Sequence, residues 1–352
     1  MANPDHTNPD RPNFPLSVDS EHKATVLHLF TVAQPHMRAF HITWISYFCS
    51  FISTFAVAPL LPIIRDNLNL TATEIGNAGI ASVSGAVFSR VVMGSACDMF
   101  GPRLASSALH LLVSPTVYCF SIINSAASFL VGFSLATFVA TQFWMSSMFS
   151  TTVVGTANAV SAGWGNFSGG ATQIIMPYVF SIILDMGAVR FTAWRIAFFI
   201  PALMQTTSAF SIFFLAQDLP DGNFTDLKKS GEKHRDKISR VFRNAVTNYR
   251  VWILALTYGY LFQSRIDWII AASIGLANTF SRPTGGIISD AMAKRFGVRG
   301  RLWALWTVQS LGGLLCIVLG RVGSLGASIA PIIYKNNLKN LNSHGTCYDF
   351  GF

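Results

Sequence analysis

Charge is what this sequence has least of. Only 12% of its 352 residues are Asp, Glu, Lys or Arg, and 51% are hydrophobic, whereas a soluble domain carries about 25% charged residues. A soluble core of this size cannot hide so much apolar surface, which excludes an ordinary globular domain. Cysteine is sparse too: the five residues at 49, 97, 119, 316 and 347 show no close pairing. Neither a disulfide framework nor a zinc site is implied. The first two dozen residues lack the basic, short-apolar, small-residue pattern of a cleaved leader, so the first apolar run is expected to do the targeting. Gly-x-Ser-x-Gly, His-Glu-x-x-His and paired intramembrane His and Asp are absent. No enzyme and no cofactor are expected. His36 and His41, five apart, suit a membrane edge better than a metal.

What the chain has is long apolar runs, 29 Phe and eight Trp. A hydrocarbon core about 30 Å thick needs roughly 20 apolar helical residues. Runs bounded by charge, Pro or Asn lie near 41–64, 75–97, 104–124, 128–149, 151–181 and 194–215. A polar stretch from Gln217 to Arg250 follows, then a weak run near 251–262 and clearer ones near 266–288 and 303–320. This pattern predicts an all-α polytopic membrane protein with about nine spans. The expected organisation is a tail (1–40), a complete six-helix half (41–216), a linker (217–250), a partial second half (251–320) and an atypical, disordered tail (321–352).

The formal charge of +9 does not point to nucleic acid, because the cations sit in short loops and not on one polar face. A cytoplasmic N-terminus places the linker and Lys294, Arg295, Arg299 and Arg301 in cytoplasmic loops, as the excess of Lys and Arg there requires. Two acceptor patterns test the topology: Asn69 would then be external and Asn223 internal, and a glycan on Asn223 would overturn it.

The chain also repeats itself. Phe88-Ser89-Arg90-x3-Gly94-x3-Asp98 recurs as Phe280-Ser281-Arg282-x3-Gly286-x3-Asp290 at a constant offset of 192 residues, and each copy is followed by Phe-Gly-x-Arg. Two halves related about the membrane normal are the natural design. Gly94, Asp98, Gly101 and Arg103 resemble the loop motif of the major facilitator superfamily, with Met99 and Pro102 departing from it.

Of the cations, only Arg90 and Arg282 lie well inside apolar runs, eight residues before their Asp. At 1.5 Å per residue that is roughly 12 Å from the boundary, near the midplane. No Asp or Glu lies well inside the predicted spans. The plain alternative is a pair of structural arginines on backbone carbonyls. The sharper expectation is a substrate site where two guanidiniums, one from each half, bind a small anion. The planar fork suits a planar oxyanion.

Ala162-Gly163-Trp164-Gly165-Asn166 opens a glycine-rich run inside the fifth span. It is a poor dinucleotide fingerprint, because no β-α-β unit surrounds it. Gly165-x3-Gly169 lets a neighbouring helix approach, and Asn166 offers an amide beside that bare face. This run is similar to the signature of the nitrate/nitrite porter family. Pro35–His41 and Ile63–Leu70 resemble its plant branch, the high-affinity nitrate transporters, and the matches cover about residues 25–330. Ser168 stands where that family carries Gly.

The resemblance implies a plasma-membrane nitrate transporter, with nitrite as the alternative cargo, driven by proton symport. It also implies a small single-pass accessory membrane protein as partner. It assigns nitrate contacts to Arg90, Arg282 and Asn166 beside Gly163 and Gly165, and an aromatic pocket to Trp144, Tyr258 and Phe262. Gly94, Asp98, Gly101, Arg103, Gly286 and Asp290 form its structural and gating motif.

Spacing exposes a gap. His41 to Arg90 is 49 residues, but Asn248 to Arg282 is 34. About 15 residues are therefore missing around the seventh span, and about 12 helical residues reach only about 18 Å, too short to cross. The family's last three helices have no counterpart either. The competing expectation is a membrane protein that no longer transports.

Overall fold

The computed structural model describes residues 14–119, 125–224, 247 and 268–320. The described residues hold helices and no strands beyond isolated bridges. In chain order they are α1 (His36–Phe55), α2 (Val57–Leu68), α3 (Ala72–Phe100), α4 (Pro102–Tyr118), α5 (Ser125–Gly132), α6 (Thr137–Met148), α7 (Val154–Asp185), α8 (Arg190–Leu215) and α9 (Trp268–Gly320). A 3-10 turn, Phe133–Ala136, joins α5 to α6.

Among the described residues, five stretches are long and apolar enough to cross a membrane: His36–Leu68, Ala72–Phe100, Ala127–Met148, Val154–Asp185 and Arg190–Leu215. With α4 they match the six runs expected for the first half. The ends lie a few residues outside the apolar runs because local chemistry sets them. Thr71 and Glu74 form a reciprocal capping box at the start of α3, satisfying two backbone N–H groups that would otherwise be orphaned. Gly101 ends α3 at φ +84°, and Pro102 starts α4 at once. The run near 251–262 lies outside the described residues, as does the tail from 321. The runs near 266–288 and 303–320 form the two limbs of α9, which bends at Gly297, φ +61°.

Lipid gives helices little hydrophobic reason to associate, so close packing through small residues must hold them together. A Cβ on Gly85 would lie 2.0 Å from the Phe129 carbonyl oxygen, and one on Gly132 would lie 2.1 Å from that of Ser82. The α3 and α5 backbones therefore touch. Two larger clusters fill the half. One, at the linker end, contains Met37, Phe40, Met148 and Phe149, and the other contains Leu60, Met176, Trp194 and Phe198. Val83 and Val87 on α3, and Phe199 and Phe214 on α8, face outward, as a bilayer-covered surface requires.

The segment before α1, expected as a plain tail, folds over the linker end. Ala24 N–H donates to the Met148 carbonyl at 3.0 Å and its own carbonyl accepts from Ser150 N–H at 2.9 Å. His22 meets Asp221, and His36 Nε2 lies 2.8 Å from the His22 carbonyl.

Candidate functional site

Arg90 projects from α3 and is half-buried. Its Nε is buried and has no hydrogen-bond partner. Arg282, on the first limb of α9, is only 9% exposed. Eight residues separate each from its Asp, so each lies roughly 12 Å along its helix from that carboxylate. They are two cationic side chains at equivalent positions of the two repeats.

The second repeat is seated on α7. A Cβ on Gly286 would come within 2.5 Å of the Ala159 Cβ and 2.7 Å of the Gly155 carbonyl. That glycine brings the Arg282 helix against the glycine-rich fifth span. One turn on, Asp290 accepts from Thr156 N–H at 2.6 Å and from Thr156 Oγ1 at 2.7 Å. Its other oxygen pairs with Arg301 Nη2 at 3.0 Å, and both side chains are buried. Arg301 also donates to the Thr151 carbonyl at 3.1 Å. A carboxylate at the first turn of α7 complements the positive end of that helix. Arg301, expected as a cytoplasmic-loop cation, is instead a buried partner, because α9 resumes straight after Gly297.

The first repeat is completed differently. No described atom lies within 4 Å of a Cβ built on Gly94. At the turn, Gly101 is pressed against Asp218, whose Oδ1 would be 2.7 Å from an added Cβ. Asp218 is 1% exposed and accepts from Arg103 N–H at 2.7 Å, capping α4. The Arg103 guanidinium donates to Asn223 Oδ1 at 2.7 Å and to the Phe213 carbonyl at 2.6 Å. Asp98 lies at the end of α3 within this turn.

On α7, Asn166 Oδ1 accepts from Tyr47 OH at 3.1 Å, and its Nδ2 donates to the Ala162 carbonyl at 2.9 Å. One amide N–H remains for a ligand. Gly165 is the reason the pair can meet, since a Cβ there would sit 1.8 Å from Tyr47 Cδ1. Tyr47 heads an aromatic ladder on α1, with ring centroids 4.3 Å apart to Phe51 and 5.5 Å on to Phe55. Gly163 is buried in the same stretch. Ser168 is buried as well and turns its hydroxyl back to the Gly165 carbonyl at 2.6 Å. The departure from Gly is thus satisfied within its own helix.

Gly165→Ala is expected to push the Tyr47 ring away and break its bond to Asn166. Overpacking of this kind costs about 1–3 kcal/mol, whereas Tyr47→Phe, which deletes one hydrogen bond, costs about 1 kcal/mol. Thermal unfolding in detergent checks both. Equal midpoints for the two variants would contradict this account of Gly165.

Trp144 is not brought to this group. Its indole N–H donates to the Gln217 carbonyl at 2.9 Å, and its ring, 1% exposed, belongs to the linker-end cluster with Met37, Phe40 and Phe149. The ring packs there because α6 ends under the 217–224 turn. Tyr258 and Phe262 lie outside the described residues. Sequence reasoning missed Tyr47, Asp218 and Arg301. The aromatics at 47, 51 and 55, spaced four apart opposite a glycine-rich helix, were the available signal for the first.

The Major Facilitator Superfamily pattern matches residues 43–335. The chain is 60% identical over 345 residues to the high affinity nitrate transporter 2.5 of Arabidopsis thaliana, covering 91% of this chain and 69% of that protein. It is 55% identical over 349 residues to the high-affinity nitrate transporter 2.3 of Oryza sativa subsp. japonica, covering 92% and 68%. A third relative, the high affinity nitrate transporter 2.7 of Arabidopsis thaliana, is 43% identical over 367 residues, covering 93% and 74%. The first match runs over 345 positions but takes in only 91% of a 352-residue chain. The relative therefore carries positions inside the matched region for which this chain has no residue.

Proposed function

Since this chain belongs to the major facilitator superfamily, in the family of the high-affinity nitrate transporters, we propose that it moves nitrate across a membrane by alternating access, together with protons. The observation that carries this reading is the matched pair of arginines, Arg90 and Arg282, at equivalent positions of the two repeats, each eight residues before its Asp. A buried Arg90 Nε with no partner favours an anion that accepts hydrogen bonds, because an unsatisfied buried donor costs about 1–3 kcal/mol. Nitrate presents three oxygens in a plane, and each guanidinium can meet two of them with parallel N–H groups. Asn166, held by Tyr47, adds a directional polar contact and no charge. Gly163 and Gly165 keep that side of α7 bare.

In this reading Asp290 and Asp98 hold helix ends on the linker side, and their release accompanies the change of access. The plasma membrane, a cytoplasmic N-terminus and association with a small single-pass accessory protein complete the proposal. The family resemblance adds Tyr258 and Phe262 as aromatic contacts, while Trp144 acts through packing at the linker end.

Tracer nitrate uptake by oocytes expressing the chain tests it. Saturable accumulation that rises as external pH falls is expected, with nitrite competing. No accumulation above water-injected cells, with the protein present at the surface, would sink the transport reading. That outcome would favour the second reading, a membrane protein that no longer transports, which the skipped positions inside the matched region support.

A further inference from the structure

A seam of polar side chains between α4 and α8 takes no part in the nitrate site. Ser107 Oγ donates to the Ala209 carbonyl at 3.2 Å, His110 Nδ1 lies 2.7 Å from Ser208 Oγ, and Ser114 bonds Thr206. His110 and Gln205 are both 0% exposed. Eight residues of α4 separate His110 from Pro102, which puts it roughly 12 Å in, at the depth of Arg90.

Donor accounting fixes the imidazole tautomer. Ser208 Oγ stands 2.8 Å from the Gln205 carbonyl, which can only accept, so the single hydroxyl hydrogen points there. Ser208 Oγ must then accept from His110 Nδ1–H. Nε2 is left as an unprotonated nitrogen, buried and without a hydrogen-bond partner. One turn earlier on α8, both side-chain amide atoms of Gln205 are likewise buried and partnerless.

We propose that His110 Nε2 is a proton-binding site that fills when the anion site fills. This rests on the reading that nitrate enters with protons. The step is a simple proton addition: the Nε2 lone pair takes H+, and the imidazolium then has N–H groups on both sides. Ser208 Oγ accepts one, and Gln205 Oε1 is the unused acceptor nearest in sequence register for the other. The titratable or charged groups on the elements packed against α4 are Glu74, Arg90, Cys97 and Asp98 on α3 and Arg190 and Arg195 on α8, with Arg103 and Tyr118 on α4 itself. None is bonded to His110. An imidazolium in that setting has no counter-charge. It becomes acceptable once negative charge enters the half at the same depth, so proton and anion are loaded together. The chain thereby gains a coupling group where its predicted spans offer no deep carboxylate.

Calorimetric titration of nitrate into the full chain in lipid nanodiscs, in buffers of different ionisation enthalpy, counts protons taken up per anion bound. The parent is expected to take up about one proton per nitrate near neutral pH. His110→Gln should bind nitrate with uptake near zero, and Gln205→Leu, which keeps the imidazole, should show uptake only at lower pH. Unchanged uptake in His110→Gln would overturn the proposal, as would unchanged pH dependence in Gln205→Leu should the first variant not fold. Nitrate binding without proton uptake in the parent overturns it and leaves the nitrate reading standing. No nitrate binding by the parent at all overturns both.

Discussion

Nitrate affinity is expected to fall roughly 10- to 100-fold when either Arg90 or Arg282 is replaced by lysine, although the charge is retained. A hydrogen bond to a charged group is worth about 1.5–3 kcal/mol, and each 1.4 kcal/mol is about tenfold in affinity. Lysine keeps the point charge but loses the rigid fork that meets two oxygens at once. The Lys variants therefore separate geometry from electrostatics. A matched loss at both positions is the signature of a site shared by the two repeats, whereas arginines that only tie up backbone carbonyls would leave affinity unmoved. Binding calorimetry and tracer uptake on the same variants measure the effect. Wild-type affinity in both would dismiss the shared site.

Asp290→Asn is expected to destabilise the protein by about 3–5 kcal/mol, the usual cost of breaking a buried ion pair from one side. The amide leaves the buried Arg301 charge without its carboxylate and presents α7 with a neutral group where a negative one complements the helix end. Pairing Asp290→Asn with Arg301→Met should recover much of the loss, since removing both charges removes the uncompensated one. Unfolding midpoints of the single and double variants decide it. A single variant as stable as the parent would mean that the carboxylate does not join the halves.

The sequence made the spans legible because runs of that length leave few alternatives in a chain so poor in charge. Their ends were less so. Thr71, Glu74 and Gly101 set helix limits through hydrogen bonds and a positive φ, which no hydropathy pattern registers. Arg90 and Arg282 stood out for the opposite reason: a lone cation inside an apolar run is costly enough to need a purpose. Arg301 and Asp218 were hidden among other charges, where a solvated role is the default, and only the fold removes them from water. Tyr47 was hidden in the reverse way, as one aromatic among many until Gly165 opened a place for its ring.

The backbone contact of α3 with α5, made through Gly85 and Gly132, limits how Arg90 can travel. Backbone is set directly against backbone at those two glycines, with the Phe88 and Phe129 rings packed beside them, and close-packed contacts of this kind resist small displacements of α3. Arg90 is therefore carried as cargo of its whole bundle. To present the anion first to one side of the bilayer and then to the other, the bundle must tilt as a block, and a mutation loosening that glycine seam would uncouple the guanidinium from the tilt without touching it.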